Sequence, residues 1–277
     1  MRVSPFKTAA PFCAALLGCA GAAHADLVTL DDLPTAPPAQ ILILGEIHDN
    51  PNHHETQAAL VQRWHPTALV FEMLTPAQAA AIGDTPRDNA ARMAEMTGWA
   101  TSGWPDYALY HPIFAASGTA EVYGAALDRV DVRRAMTDGA GAVFGPDAAL
   151  YGLASPLPAP EQALRETDQM TAHCNALPPE MLPGMVAAQR LRDAAFARTA
   201  LQALEKTGGP VVVITGSGHA DRARGIPAAL GIAAPAITAF SLGQVEGDPG
   251  PDAPFDAWIV TAPTPRDDPC AAFTKTP

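Results

Sequence analysis

The sequence has few basic and few aromatic residues. Lysine and arginine number 17 among 277 residues, against 29 aspartate and glutamate residues, which gives a formal charge of −12; aromatic residues make up 6%. Nucleic-acid-binding proteins present a basic surface to the phosphate backbone, as do proteins that bind anionic membranes. An acidic chain with so few cations therefore excludes nucleic acid as an expected partner.

The apolar run near the N-terminus, Ala9–Leu17, is too short to span a membrane, which takes about 20 residues. It follows two basic residues and precedes the small residues Ala23–Ala25, an arrangement typical of a cleaved export signal. We predict a signal peptide over residues 1–25. The alternative is lipoprotein processing at Leu16–Cys19, which would leave a lipid anchor on Cys19. Cleavage after residue 25 would remove two of the 17 basic residues and no acidic ones, so the charge would become −14.

Cysteine is scarce, with four in the whole sequence. Two lie in the predicted signal peptide, which leaves Cys174 and Cys270. No ligand spacing surrounds either one, so we expect no structural zinc site. An even pair in an oxidising compartment favours a disulfide, and two free thiols are the alternative. A bond closing a loop of nearly a hundred residues would stabilise the fold by roughly 4–5 kcal/mol on the entropic model.

Short apolar runs that alternate with helical patterns indicate the fold class. The stretch Pro51–Trp64 is predicted to be a helix, with Asn50 as its cap and proline at its first position. Alternation of strand and helix predicts an α/β fold, a mostly parallel sheet flanked by helices. The predicted strands are Gln40–Leu44, Ala68–Phe71, Glu121–Ala125, Pro210–Ile214, Ile237–Leu242 and Ala257–Val260.

The middle of the chain lacks a strand pattern. From Asp131 to Lys206 the sequence shows only helical segments separated by prolines. We predict that residues 131–206 form a smaller helical subdomain, inserted into an α/β core made of residues 26–130 and 207–277. The proline-rich segment after Thr261 is expected to be irregular.

Two predicted strands run directly into the same short pattern, glycine followed three residues later by histidine. These segments are Gly45–His48 and Gly216–His219, and a third strand ends just before Glu72. Ligands of open parallel sheets bind beyond the carboxyl ends of the strands. We therefore expect four side chains to meet at one edge of the sheet: Glu46, His48, Glu72 and His219.

Three interpretations of these four residues stay open. Imidazole and carboxylate groups are usual ligands of divalent metals, and the same groups can act without metal as an acid/base pair. The third interpretation is that they are structural groups that hydrogen-bond within the fold. His53 and His54 could enlarge the cluster, but for each of them exposure in the first turn of its helix is the expectation. Trp104 and Tyr110 are interpreted as core residues.

Polar residues also fall on the buried face of a long predicted helix, residues 180–205. Gln189 and Asp193 project into that face, and Arg192 lies at its edge. Burial of such groups without partners is costly. Each is therefore expected to meet a ligand or an internal partner, such as an arginine for Asp193. The apolar members of the face are Leu182, Val186, Phe196, Ala200 and Leu204.

Six segments together match a known pattern. The first reads Leu44-Gly45-Glu46-Ile47-His48-Asp49-Asn50-Pro51-x-His53-His54-x-x-Gln57. The others are Phe71–Met73, Gly103–Asp106, Tyr110–Phe114, Ala188–Ala194 and Gly216–His219. They span residues 44–219 and resemble the motifs of the ChaN-type haem-binding lipoproteins. The wider superfamily includes Tiki-type metalloproteases and erythromycin-esterase-like hydrolases, which resemble this chain in the paired Gly-x-x-His pattern.

The resemblance implies an α/β core with a smaller helical domain, export to the periplasmic side and a role in haem binding or uptake. Haem needs an axial donor and an apolar slot. Tyr151, which precedes a glycine at a predicted helix end, is the predicted axial ligand, and His173 is the alternative. Since cations are few, Arg190 and Arg192 are the expected partners of the haem propionates. The predicted cofactor site comprises Tyr151, His173, Met185, Gln189 and Arg192.

The leading hypothesis is thus a non-enzymatic, exported haem-binding protein that takes part in haem or iron uptake. A haem on a surface slot would favour a homodimer that covers its exposed face, and outer-membrane haem uptake machinery would be a partner. The alternative is a hydrolase of protease or esterase type, with or without a divalent metal at Glu46, His48, Glu72 and His219. A third hypothesis is a degenerate hydrolase fold kept as a structural module.

Overall fold

The computed structural model describes residues 26–250, 252–268 and 270–271. These residues form a seven-stranded sheet with the order β1-β7-β6-β2-β5-β3-β4. Every strand pair is parallel, so the predicted α/β fold with a parallel sheet is confirmed. The strands are β1 (Asp26–Leu27), β2 (Ile41–Glu46), β3 (Ala68–Phe71), β4 (Glu121–Gly124), β5 (Val211–Gly216), β6 (Ala239–Val245) and β7 (Ala257–Val260).

Helices cover both faces of the sheet. In chain order they are α1 (Pro51–Trp64), α2 (Pro76–Ile82), α3 (Ala90–Met96), α4 (Tyr107–Ala116), α5 (Arg129–Asp138), α6 (Ala140–Phe144), α7 (Ala159–Ala172), α8 (Leu182–Thr207) and α9 (Ile226–Ala233). Short 3₁₀ helices connect them at Leu30–Asp32, Trp99–Thr101, Pro146–Tyr151, Pro179–Met181 and Ser217–Ala220. Among the described residues, no helix is both long and apolar enough to cross a membrane.

Two hydrophobic clusters lie on opposite faces of the sheet. Ile41 and Ile43 of β2 belong to the cluster that includes α8, whereas Leu42 and Leu44 belong to the cluster that includes α1 and α4. Successive side chains of a strand point to opposite faces. Because both faces are covered, the strands are apolar at nearly every position, as in other parallel sheets.

The capping residues and apolar runs of the sequence predicted the positions of most helices and strands that were proposed from it. Helix α1 has the predicted bounds, and the side chain of Asn50 accepts a hydrogen bond from the backbone N–H of Asn52 at its start. All six predicted strands are present with small shifts at their ends. Strand β1 was not predicted, since it has two residues with exposed side chains and pairs with β7 near the other end of the chain. The predicted signal peptide lies outside the described residues.

The segment between β4 and β5 contains helices and no strand, as the sequence predicts. Its last helix, α8, does not stand apart from the sheet. Leu191, Ala195 and Ala200 of α8 share one core cluster with Ile41 of β2 and Val213 of β5. Helix α8 is therefore one of the layers that bury the sheet, and it brings the predicted helical insert against the strand ends.

Cys174 and Cys270 form the predicted disulfide, with their Cα atoms 5.5 Å apart. The bond joins the end of α7 to the segment that follows β7. That segment has no regular structure from residue 261 to 268, in agreement with the expectation. Arg266 within it contacts Asp49 at 2.8 Å and Glu246 at 2.6 Å. The segment after β7 is thus fixed to the body of the protein at two places.

Replacing Cys174 and Cys270 by serine should lower the free energy of unfolding by up to about 4 kcal/mol, since the unfolded chain regains the entropy of an open loop. The loop spans 96 residues. Urea unfolding of the double variant and of the oxidised parent measures the difference, and the reduced parent serves as the matched control. Equal midpoints for the oxidised parent and the variant would contradict this account.

Candidate functional site

Three neighbouring strands end at the same edge of the sheet and carry the predicted cluster. Glu46 is the last residue of β2, Glu72 follows β3, and His219 lies in the 3₁₀ helix after β5. Because β5 lies between β2 and β3, the three strand ends are adjacent. We call Glu46, His48, Glu72 and His219 the Glu/His rim. Its members are buried except for His48, whose side chain is 33% exposed.

Glu46 holds His48 in one orientation. The hydroxyl of Tyr110 donates to Glu46 Oε1 at 2.6 Å, and His48 Nδ1 lies 2.8 Å from the same oxygen. Since a carboxylate only accepts, Nδ1 carries the hydrogen and Nε2 is the nitrogen available for chemistry. Burial lowers the pKa of His48, but the hydrogen bond and charge of Glu46, together with the charge of Glu72, outweigh it and raise the pKa above its ordinary value. Tyr110, interpreted from sequence as a core residue, is buried and also orients the rim.

The position of the His48 ring explains why residue 216, which begins the second Gly-x-x-His pattern, is a glycine. A Cβ atom on Gly216 would lie 3.0 Å from His48 Nε2, so a larger residue would displace the imidazole. On its other side, the ring of His48 meets Trp104 edge to face with centroids 4.9 Å apart. Backbone and indole together confine the ring.

Glu72 is the most strongly bonded member of the rim. Its Oε1 accepts from Arg192 at 2.6 Å, and its Oε2 accepts from Thr215 Oγ1 at 2.7 Å and from the Gly216 amide at 2.8 Å. Burial by itself would raise the pKa of Glu72. The charges of His219, Arg192 and His48 and the amide of Gly216 reverse that effect and lower the pKa to about 2. Glu72 is therefore an anion at all physiological pH values.

Asp193 and His219 form a second buried pair. His219 Nδ1 lies 2.6 Å from Asp193 Oδ1, and its Nε2 lies 3.6 Å from Glu72 Oε1. Gln189 Nε2 is 3.1 Å from the same Nδ1. Burial raises the pKa of Asp193. The arginine expected as the partner of Asp193 is replaced by a histidine, while Arg192 binds Glu72.

His53 and His54 are buried, so the expectation of exposed first-turn histidines was wrong. His53 Nδ1 accepts from the Ile47 amide at 2.8 Å, and its Nε2 lies 2.8 Å from Thr261 Oγ1. Burial lowers the pKa of His53 to about 4. His54 Nε2 donates to the His48 carbonyl at 2.9 Å. The two side chains fix the turn between β2 and α1, and thereby the position of His48.

The divalent metal considered for the rim is not supported. In the part of the chain that the structure describes, no group of three histidine, cysteine, aspartate or glutamate side chains is placed to hold a metal ion. The carboxylates bind within the protein instead, Glu72 to Arg192 and Glu46 to Tyr110 and His48. Without metal, the Glu46–His48 pair retains the arrangement of an acid/base pair.

The predicted cofactor-binding residues do not form one cluster, because Tyr151 and Arg192 lie on different sides of α8. Arg190 donates to the Gly152 carbonyl at 2.7 Å, next to Tyr151, whereas Arg192 reaches Glu72. Positions two apart on a helix point about 200° from each other. Tyr151 therefore lies on the side of α8 away from the Glu/His rim, while Gln189 and Arg192 lie with the rim.

His173 and Met185 occupy further positions of the helical segment. His173 ends α7, where its Nδ1 donates to the Gln169 carbonyl at 2.8 Å and leaves Nε2 available. Met185 is half-buried in the first turn of α8. Nothing in their contacts joins either residue to Tyr151.

An open cavity of about 650 Å³ adjoins the rim. Its lining includes Glu72 and Arg192 of the rim region, Trp104, and Arg129 and Arg133 of α5. We call it the Trp104 cavity. Trp104, interpreted from sequence as a core residue, is only half-buried and faces this space. The α5 arginines were missed because no local pattern indicates which helix lies beside the strand ends.

The fold and sequence are similar to known proteins. A family model described as haem-binding uptake, Tiki superfamily, ChaN matches residues 33–230. Among solved structures, Campylobacter jejuni ChaN, described with cofacial haem binding, is 17% identical with a TM-score of 0.57, over 78% of this chain and 86% of that one. The type III effector HopBA1 matches at 11% identity and a TM-score of 0.43, over 81% of this chain and 88% of that one. No curated protein matches the sequence.

Replacing Glu46 by glutamine should lower the pKa of His48 relative to the parent, because the Glu46 charge that opposes burial is lost while the charge of Glu72 remains. An NMR titration of the histidine ring protons measures the change, with the His48 signal assigned from a His48→Gln variant. Glu55→Gln, at an exposed position of α1, is the matched control and should leave that pKa unchanged. An unaltered His48 pKa in Glu46→Gln would show that Glu46 does not set it.

Proposed function

The chain belongs to the ChaN family of haem-binding uptake proteins in the Tiki superfamily, and we propose that it binds haem through the phenolic oxygen of Tyr151. The observation that carries the proposal is a phenol placed among exposed apolar side chains at the end of a rigid turn. Tyrosine is one of the protein ligands that haem iron accepts.

A glycine turn next to α9 fixes the backbone that carries Tyr151. Tyr151 ends the 3₁₀ helix Pro146–Tyr151, and Gly152 follows with a φ of +70°. A Cβ atom on Gly152 would lie 2.9 Å from Ile232 Cδ1. Glycine is thus required both by the backbone angle and by the close approach of α9. The ring of Tyr151 rests against Phe144, with centroids 5.1 Å apart, which limits its motion.

Apolar side chains surround this turn at the surface. Leu150 is 60% exposed and Ile232 is 58% exposed. They flank Tyr151 and Gly152, and we call Leu150, Tyr151 and Ile232 the Tyr151 face. Exposed apolar patches mark sites for ligands or partner proteins. A porphyrin ring has the flat apolar surface that such a patch would cover.

The charges near Tyr151 suit an acidic ligand. Burial raises the pKa of Tyr151, the positive charge of Arg198 opposes that rise, and the negative charge of Asp147 adds to it. The Arg198 guanidinium lies 4.2 Å from the centre of the Phe144 ring. Ferric haem would supply the Lewis-acidic iron that makes loss of the phenolic proton favourable. Arg198 would then pair with a propionate.

Arg190 and Arg192, the propionate partners expected from sequence, are engaged elsewhere. Arg190 donates to the carbonyls of Gly152 at 2.7 Å and Ser155 at 3.2 Å. It therefore holds the backbone that follows Tyr151. Arg192 binds Glu72 on the other side of α8. This leaves Arg198 as the cation that we assign to the haem.

We further propose that the chain is exported to the periplasm and takes part in haem or iron uptake. The disulfide between Cys174 and Cys270 supports this, because such bonds persist in oxidising compartments. Signal cleavage and a lipid anchor at Cys19 concern residues outside the described part of the chain. Outer-membrane haem uptake machinery is the partner that this role would require.

We also propose that the haem-loaded chain forms a homodimer. A haem on the Tyr151 face would keep one side open to water, and a second copy of the chain would cover it. The solved Campylobacter jejuni protein is described with cofacial haem binding. By analogy, two copies of this chain would meet through their haems and through Leu150 and Ile232.

Hemin added to the purified protein should give a shifted Soret band that saturates at stoichiometric ligand. Tyr151→Phe should alter that band, because phenylalanine cannot ligate iron. Tyr123→Phe is the matched control, since the Tyr123 hydroxyl binds Glu121 on β4 at 2.8 Å. His173→Ala tests the alternative ligand. Absence of any shift for the parent would refute haem binding, and an unchanged spectrum for Tyr151→Phe would exclude Tyr151.

Hemin should also increase the mass in solution from one chain to two, as measured by size-exclusion chromatography with light scattering. Leu150→Asp should return the haem-loaded protein to a single chain, because a charge would enter the apolar contact. Leu164→Asp is the control, at an exposed position of α7. A haem-loaded protein that remains a single chain would rule out the proposed dimer.

A further inference from the structure

The Trp104 cavity offers chemistry that the haem proposal does not use. It lies at the carboxyl edge of the sheet, beside the Glu/His rim, whereas Tyr151 lies on the other side of α8. Its volume of about 650 Å³ is within the roughly 300–1,000 Å³ of small-molecule sites.

Two arginines on one wall of the cavity lack a partner. Arg129 and Arg133 make neither an ion pair nor a side-chain hydrogen bond with any residue of 26–250, 252–268 or 270–271. By contrast, Arg134 on the same helix reaches Asp131 at 3.2 Å and Asp138 at 3.5 Å. The whole sequence has 17 basic and 29 acidic residues. In so acidic a chain, two unpaired guanidinium groups beside a cavity mark a place for an anion.

The acidic side chains at the cavity do not cancel this charge. Glu72 is already bonded to Arg192, Thr215 and Gly216. Asp128, the second carboxylate of the lining, is exposed and makes no capping bond to the start of α5. With Arg192 counted, three guanidinium groups face two carboxylates. The first turn of α5 adds the positive end of a helix dipole on the same wall.

The rest of the lining combines apolar and aromatic side chains, among them Trp104 and Phe196, with four uncharged polar ones, Thr75, Gln78, Thr101 and Ser102. Trp104 presents its indole on one side, and Phe196 closes the inner end near Arg192, whose guanidinium lies 5.8 Å from the centre of the Phe196 ring. Val132 of α5 lies in the lining beside Arg129 and Arg133, which are neighbours four residues apart on the helix. A ligand that satisfies this lining has an anionic group at one end and a flat apolar body at the other.

We propose that the Trp104 cavity binds a small organic anion, with its carboxylate on Arg129 and Arg133 and its apolar body against Trp104. The inner end of such a ligand would approach the half-exposed His48, whose ring touches Trp104. The site thus joins an anion-binding entrance to the acid/base pair of the rim. Its ligand is an aromatic or fused-ring carboxylic acid of a size that fits the cavity.

Isothermal titration with 2-naphthoate and with its neutral isostere 2-naphthamide tests the proposal. The naphthoate should bind, should quench Trp104 fluorescence, and should bind at least about tenfold more tightly than the amide, since charged hydrogen bonds are the stronger ones. The double variant Arg129→Gln/Arg133→Gln should reduce naphthoate affinity at least about tenfold. Arg134→Gln, a matched change on the same helix outside the cavity lining, should retain the parent affinity.

Equal binding of naphthoate and naphthamide would overturn the proposal, as would equal losses in the double variant and in Arg134→Gln. A Soret titration of the double variant separates this site from the haem site. An unchanged hemin spectrum supports two separate sites. Loss of hemin binding in the double variant would place the haem in this cavity and refute the separate anion site, while absence of hemin binding in the parent concerns the haem proposal alone.

Discussion

The buried carboxylate of Glu72 is the constraint from which the arrangement of the site follows. A charged group in the interior is tolerated only when bonds compensate for lost hydration. Here the bonds come from β5, through Thr215 and Gly216, and from α8, through Arg192. One side chain thereby ties three elements together. The contact also fixes how α8 is rotated about its axis, because Arg192 must point to the strand ends.

That rotation determines what each side of α8 presents. Asp193 follows Arg192 and meets His219, so the second buried pair depends on the first. Arg190 and Arg198 point away, toward Gly152 and Phe144. The helix therefore separates two regions of different character. On one side lie buried carboxylates and histidines beside a cavity, and on the other lies an exposed apolar face with a phenol.

Sequence patterns predicted correctly those elements that depend on neighbouring residues alone. Asn50 and Pro51 located the start of α1, and the apolar runs located six strands. The four rim residues were predicted to converge because parallel strands end together. The partner of Asp193 was not predicted, because helical periodicity gives the direction of a side chain and not what it meets. His53 was misjudged for a related reason: Thr261, far along the chain, covers it, and no local pattern reports such packing.

The redox state of Cys174 and Cys270 affects how firmly the turn that carries His48 is held. Their disulfide joins the segment after β7 to the end of α7. Arg266, four residues before Cys270, forms an ion pair with Asp49, which is next to His48. The described segment after β7 is thus held near the β2–α1 turn by a covalent bond at Cys270 and an ion pair at Arg266. Reduction would leave only the noncovalent contacts of this segment, such as those of Thr261 with His53 and of Arg266 with Asp49. The turn that carries His48 would then be held less firmly in a reducing compartment than in an oxidising one.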